Sequence, residues 1–163
     1  MIVAGIDAST NYTGIAIMQD TNYVCHTLID LHKIKDSSER VPKMMLAICD
    51  YLAQHKIDKI IMEESMMTTN IATTKMLSSI AGAVMYYAAS HNIEFQLDLP
   101  SAWRRRVGLT QGRAVKREVL KAEAIAAVKQ EYGMDLTDDE SESILIARSA
   151  FDLPKINLED DDI

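Results

Sequence analysis

Three groups of acidic residues in this chain are placed to do chemistry. Asp7 ends the first apolar run, Met1-Ile-Val-Ala-Gly-Ile-Asp7. The pair Glu63-Glu64 ends another, Lys59-Ile-Ile-Met-Glu63. The cluster Asp138-Asp139-Glu140-Ser141-Glu142 opens the last helix-like segment. Acids at strand ends and at a helix start can meet at one edge of a sheet, where they repel one another unless a cation stands between them. The economical chemistry is an all-oxygen, divalent-cation site assembled from three distant parts of the chain.

A second set of residues is basic. Residues 103–121 hold Arg104, Arg105, Arg106, Arg113, Lys116, Arg117 and Lys121 against Glu118 alone, while the rest of the chain has 10 basic and 23 acidic residues. The formal net charge of -7 therefore conceals a one-sided cationic stretch. Local field matters more than net charge when a polyanion docks, so this stretch is expected to grip a nucleic-acid backbone. An ordinary solvated basic face is the plain alternative.

The elements that must position these groups are read from periodicity. Strands are expected at 2–7, 15–18, 23–29, 57–63 and 93–97. Helices are expected at 37–55, 69–91, 113–132 and from 137 or 138 to 151, with a short helical turn at 100–103. Val41, Met44, Met45, Ile48 and Leu52 recur at helical spacing. Ala81-Gly82-Ala83 and Ala88-Ala89 make the second helix small-faced, as close packing against another helix requires. Gly133 is expected to end one helix, and Thr137 or Asp138 to N-cap the next.

The order β-β-β-α-β-α-β-α-α describes an α/β fold: a mixed five-stranded sheet with helices on both faces. Strand alternation should turn Glu64 away from the side that Glu63 faces. Asp138 is expected to serve as a cap and Glu140 to face solvent.

Composition sets limits. A chain of 163 residues makes one domain, expected over 1–153, with an acidic, flexible tail at 154–163. No apolar run approaches the roughly 18 residues of a membrane-spanning helix. The start lacks the basic region of a signal peptide. Cys25 and Cys49 have no metal-type spacing and are expected to be reduced, which suits the cytoplasm.

In their order and spacing these motifs resemble the RuvC family of Holliday junction resolvases, within the ribonuclease H-like fold, over about residues 2–150. Gly5-Ile-Asp7-Ala-Ser9 with Thr13-Gly14 is similar to the family's first-strand motif, with Ala8 where many members have proline. Ile61-Met-Glu63-Glu-Ser-Met66 resembles the second acidic strand, and Asp139-Glu-Ser-Glu142 the last motif, where the family usually has aspartate at the second position. The segment Ser101-Ala-Trp103-Arg104 looks most like the phage and prophage branch.

The resemblance implies a crossover junction endonuclease that nicks opposing strands of a four-way DNA junction. Asp7, Glu63, Asp139 and Glu142 would hold two Mg²⁺ ions, with Mn²⁺ as a substitute, and Asp7 would bridge them. Lys116 lies in the segment that supplies a catalytic-site lysine. Met66, with Met67 beside it, falls where the family places an apolar wedge for the junction centre. Trp103 stacks on a base or anchors the basic loop, and the surrounding cations, Lys121 included, contact DNA. A junction has two-fold symmetry, so paired nicks call for a homodimer, with helix 69–91 as the interface. Two other readings stay open at this point: a broader structure-selective nuclease acting on forks and flaps, and a junction-binding protein without activity. An actin-like ATPase would need a second lobe and about twice this length.

Overall fold

Hydrophobic alternation places one strand, β1 (Ile2–Ala8), at the centre of the fold. In this computed structural model, which describes residues 1–65, 70–110 and 115–158, β1 pairs antiparallel with β2 (Tyr12–Gln19), and β2 with β3 (Asn22–Asp30). The other edge of β1 pairs parallel with β4 (Lys59–Glu63), and β4 with β5 (Glu94–Asp98). The sheet order is β3-β2-β1-β4-β5. The antiparallel pairs come from tight turns, whereas the parallel ones need helical crossovers. These are supplied by α1 (Ser37–Leu52) and α2 (Ile71–Ser90). Three helices follow: α3 (Pro100–Val107), α4 (Arg117–Tyr132) and α5 (Asp138–Arg148). The expected mixed five-stranded α/β sheet is present.

Alternation along the strands divides the core in two. Ala4 and Ile6 join Ile15, Ile17, Ile60 and Met62 beneath α1 and α2. Val3, Ala16 and Ile61 face the other way, onto Trp103 and Val107 of α3, Ala127 and Val128 of α4 and Leu145 of α5. Gly5 and Gly14 share that second face. A Cβ on Gly5 would strike the Ser143 carbonyl and the Ala147 amide, and one on Gly14 would strike the Asp139 carbonyl. The bare backbone of these two residues lets α5 lie directly on the sheet.

Several boundaries differ from expectation for local reasons. Helix α3 does not stop at Trp103 but runs to Val107, where Gly108 caps it in the left-handed region at φ 97°. All three consecutive arginines are therefore helical. Helix α4 begins at Arg117 rather than 113, with Lys116 as its N-cap. Helix α5 ends at Arg148, short of 151, and Ser149 turns its hydroxyl back to the Ile146 carbonyl. The chain after α5 is held down further than the expected boundary at 154: the Ile156 side chain is buried and its amide donates to the Val107 carbonyl. Met66, Arg113 and residues 159–163 lie outside the described residues. Among the described residues no helix is long and apolar enough to cross a membrane.

Candidate active site

Asp7 and Glu63 each lie one residue beyond the paired residues Ile6 and Met62 on parallel neighbouring strands. Asp7 follows Val3 and Gly5 at period two, and Glu63 follows Ile61, so both acids face α5. That helix starts with a capping box. The Thr137 hydroxyl accepts from the Glu140 amide, and the Glu140 carboxylate accepts from the Thr137 amide at 3.0 Å. Fixed in this way, the first turns of α5 carry Asp139 and Glu142 over the ends of β1 and β4. All four acids line one cavity of about 470 Å³, together with the β1–β2 turn, Arg104, Arg117 and Lys121. The Ser9 hydroxyl pins that turn by donating to the Tyr12 carbonyl at 2.7 Å and accepting from the Tyr12 amide at 3.0 Å.

The electrostatics follow from this crowding. Burial, and then the nearby charges of Glu63, Glu142 and Asp139, push the Asp7 carboxyl well above the usual range. Glu63 is pushed up to about 7 by burial and by Glu142, against the hydrogen bond from Trp103 and the charges of Arg104 and Arg117. Asp139 is raised by burial and by Asp138, with Lys121 opposing. Asp7 also lies within hydrogen-bonding reach of Glu142 and Asp139. Among the described residues no three possible ligands already converge on one point at coordination distance. The donor set is nevertheless all carboxylate oxygen, which suits a hard divalent cation.

A stability test arises here. The unfolded chain ionises these acids near their ordinary values, whereas the folded chain ionises them later. The stability that this cluster contributes in its protonated form is therefore full below about pH 4 and is lost as the pH rises through the raised values, about 7 for Glu63. One pKa unit corresponds to about 1.4 kcal/mol, and about 1 kcal/mol moves the melting midpoint of a domain this size by roughly 2–4 °C. The melting midpoint of cation-free protein is expected to fall by several degrees between pH 5 and pH 8, and less steeply in Glu63→Gln. A wild-type midpoint that stays flat over this interval would show that the cluster is not strained.

The basic segment is arranged differently from what its charge suggested. Arg104, expected on a DNA backbone, is 3% exposed. Its Nη2 donates to Glu142 Oε1 and to the Leu120 carbonyl, both at 2.7 Å. Trp103 is fully buried, which excludes base stacking, and its Nε1 donates to Glu63 Oε2 at 2.7 Å. Arg106 pairs with Asp98 and donates to the Ser149 carbonyl, and Lys121 pairs with Asp138. Lys116 is exposed at the N-cap of α4 and does not line the cavity; the neighbouring Arg117 does.

Three further acids do not line this cavity. Glu64 is exposed and its amide donates to the Asp98 carbonyl. Asp138 is engaged by Lys121, and the N-cap is Thr137. Glu140 does not simply face solvent, since it completes the capping box and lies 3.2 Å from His26 Nε2. The inward role of Trp103 and Arg104 was missed in the sequence, although one signal was present. Trp103 and Val107 are four apart, an apolar stripe at helical spacing, and Arg104 lies beside it.

Comparisons with known proteins can now be set beside this geometry. A family model described as crossover junction endodeoxyribonuclease RuvC matches residues 3–140. Among solved structures, Thermus thermophilus RuvC in complex with a Holliday junction substrate superposes with a TM-score of 0.71 at 16% identity, over 91% of this chain and 91% of that chain. The yeast mitochondrial Holliday junction resolvase gives 0.53 at 18% identity, over 90% of this chain and 76% of that one. Fowlpox virus resolvase, solved with substrate Holliday junction DNA, gives 0.52 at 13% identity, over 91% and 97%. At such identities the structural likeness speaks to the fold, a ribonuclease H-like sheet with flanking helices. No curated protein sequence matches the chain.

Proposed function

The chain belongs to the RuvC family of crossover junction endodeoxyribonucleases, whose members are divalent-metal-dependent nucleases, and from that premise we propose that it resolves four-way DNA junctions by paired nicks in opposing strands. The observation that carries this reading is the convergence of Asp7, Glu63, Asp139 and Glu142 on one cavity with a basic rim. These four side chains would hold two Mg²⁺ ions, with Mn²⁺ able to substitute. Bound divalent cations of this kind lower the pKa of an attacking water and stabilise charge on the leaving oxygen. Asp7, on the central strand, lies among the other three acids and would be the central residue holding the cations.

Arg117 lines the cavity and is the cation best placed to meet a scissile phosphate. Lys116 and Arg105, both exposed, contact the DNA backbone farther out. Arg113 would grip the DNA backbone and Met66 would insert at the junction centre. Two such sites must act on one junction, so the working species is a homodimer. The outer face of α2 supplies its surface. Tyr86 is 76% exposed there, and open space surrounds Gly82. One nuclease domain carries the activity, and the free thiols Cys25 and Cys49 suit a reducing cytoplasm.

The test is a cleavage assay on a labelled four-way junction, linear duplex and flap DNA with Mg²⁺ or Mn²⁺. Symmetric nicks confined to the junction are the expected result. Equal cutting of flaps would make the protein a broader structure-selective nuclease. Junction binding with no cutting under either metal would leave a binding protein and overturn the catalytic reading.

A further inference from the structure

Two consecutive residues of α3 each donate to a different acid of the cavity. Trp103 holds Glu63 at the end of β4, and Arg104 holds Glu142 on α5, both at 2.7 Å. Their own positions are tightly set. The Arg104 guanidinium lies over the Trp103 ring at 4.8 Å. It also reaches the Leu120 carbonyl on α4 at 2.7 Å and faces Glu123 at 3.7 Å. Helix α3 cannot drift as a whole, because Arg106 pairs with Asp98 at the end of β5 and donates to the Ser149 carbonyl and hydroxyl at 3.0 and 3.1 Å. One turn of one helix thus ties together the strand ends and α5.

We propose that Trp103 and Arg104 are positioning residues, which together set the separation and orientation of Glu63 and Glu142 for cation binding. The inference rests on the reading of the four acids as cation ligands. A carboxylate on a long side chain can rotate away from a ligand. A donor fixed to one oxygen removes that freedom and leaves the other oxygen for the cation. Partners of this kind behind a metal ligand typically change cation affinity by about ten- to a hundredfold when they are lost. Arg104 adds a charge to this arrangement. Its partners Glu142 and Glu123 allow it to be buried, and its guanidinium balances part of the acidic cluster while no cation is bound. The arginines of this helix thus divide their work: Arg104 is buried against the site, Arg106 ties the helix to Asp98 and Ser149 from the surface, and Arg105 is exposed.

Trp103 is the chain's one tryptophan, so its fluorescence reports directly on the group bonded to Glu63. Full-length wild type, Trp103→Phe and Arg104→Lys are freed of cations and titrated with Mg²⁺ and Mn²⁺ by calorimetry. Wild-type emission is followed over the same range. Trp103→Phe removes the donor while keeping most of the packing, and Arg104→Lys keeps the charge while losing the planar fork. Both variants are expected to bind cation about ten- to a hundredfold more weakly. Cleavage should recover at correspondingly higher cation concentration, with junction affinity in chelator unchanged. Wild-type emission is expected to change with the calorimetric midpoint.

A merely structural role would lower the melting temperature and leave the cation affinity of the folded variants intact, and that result overturns the proposal. If neither variant folds, the wild-type titration decides: saturation by calorimetry with no change in emission overturns it. A wild type that binds no cation and cuts no junction defeats the cation-ligand reading itself. Wild-type binding and cutting with unaltered variants defeats only the positioning roles.

Discussion

Asp7→Asn is expected to reduce junction nicking by about 10³-fold or more while leaving junction binding intact, and to raise the melting temperature of the cation-free protein. Both effects have one cause. Asp7 stands on the central strand among Glu63, Asp139 and Glu142, and burial and those charges oppose its ionisation. An amide of the same shape removes the repulsion, so the empty cluster relaxes. The same amide is a poor ligand for a cation that must be held between carboxylates. Activity and stability therefore move in opposite directions, as they do where a site is strained for its task. The checks are initial nicking rates, gel-shift affinity in chelator, and thermal melts without cation. A variant that still nicks at more than a tenth of the wild-type rate would remove Asp7 from the ligand set. A lower melting temperature would overturn the repulsion account.

Gly14→Ala is expected to be the most damaging small substitution in the fold, with Gly5→Ala close behind. Gly14 pairs with Asp7 across β1 and β2, and its missing side chain makes room for the Asp139 carbonyl. A Cβ at either glycine meets backbone, which cannot swing aside as the end of a flexible side chain would. Helix α5 must then lift from the sheet, at a cost of about 3 kcal/mol or more, and the melting midpoint should fall by roughly 10 °C. The functional consequence reaches further, because Asp139 and Glu142 ride on the displaced helix. Even the folded fraction of Gly14→Ala should nick slowly and bind Mg²⁺ weakly. Gly82→Ala is the control for packing within one chain, since no atom of that chain lies within 4 Å of the position and an alanine suits a helix interior. Melts of the three variants check the ranking, and a Gly14→Ala protein as stable as wild type would show that α5 does not rest on the bare strand.

Much of this was legible in the chain because strands and helices write their faces locally. Asp7 and Glu63 could be placed on strand ends, and alternation turned Glu64 away from Glu63, because side chains in a strand change sides at every residue. Asp139 and Glu142, three apart, had to share a helix face. Boundaries were less legible. The end of α3 depended on where Gly108 could adopt its left-handed cap, and the start of α4 on where Lys116 could leave the helix.

The sequence alone determined where the four candidate acids lie on their elements, the order of elements and the mixed sheet, because periodicity and strand-end position are properties of short segments. The tertiary structure alone decided which basic side chains face the acidic cavity and which stay at the surface. Charge counting put Arg104 on the polyanion, and the resemblance put Lys116 at the catalytic site. Packing of Trp103 and Val107 into the core instead rotated Arg104 inward onto Glu142, and the start of α4 left Lys116 outside while Arg117 faced the cavity. A charge has the same sign in any segment, but the direction it faces is set by the apolar neighbours that must be buried first.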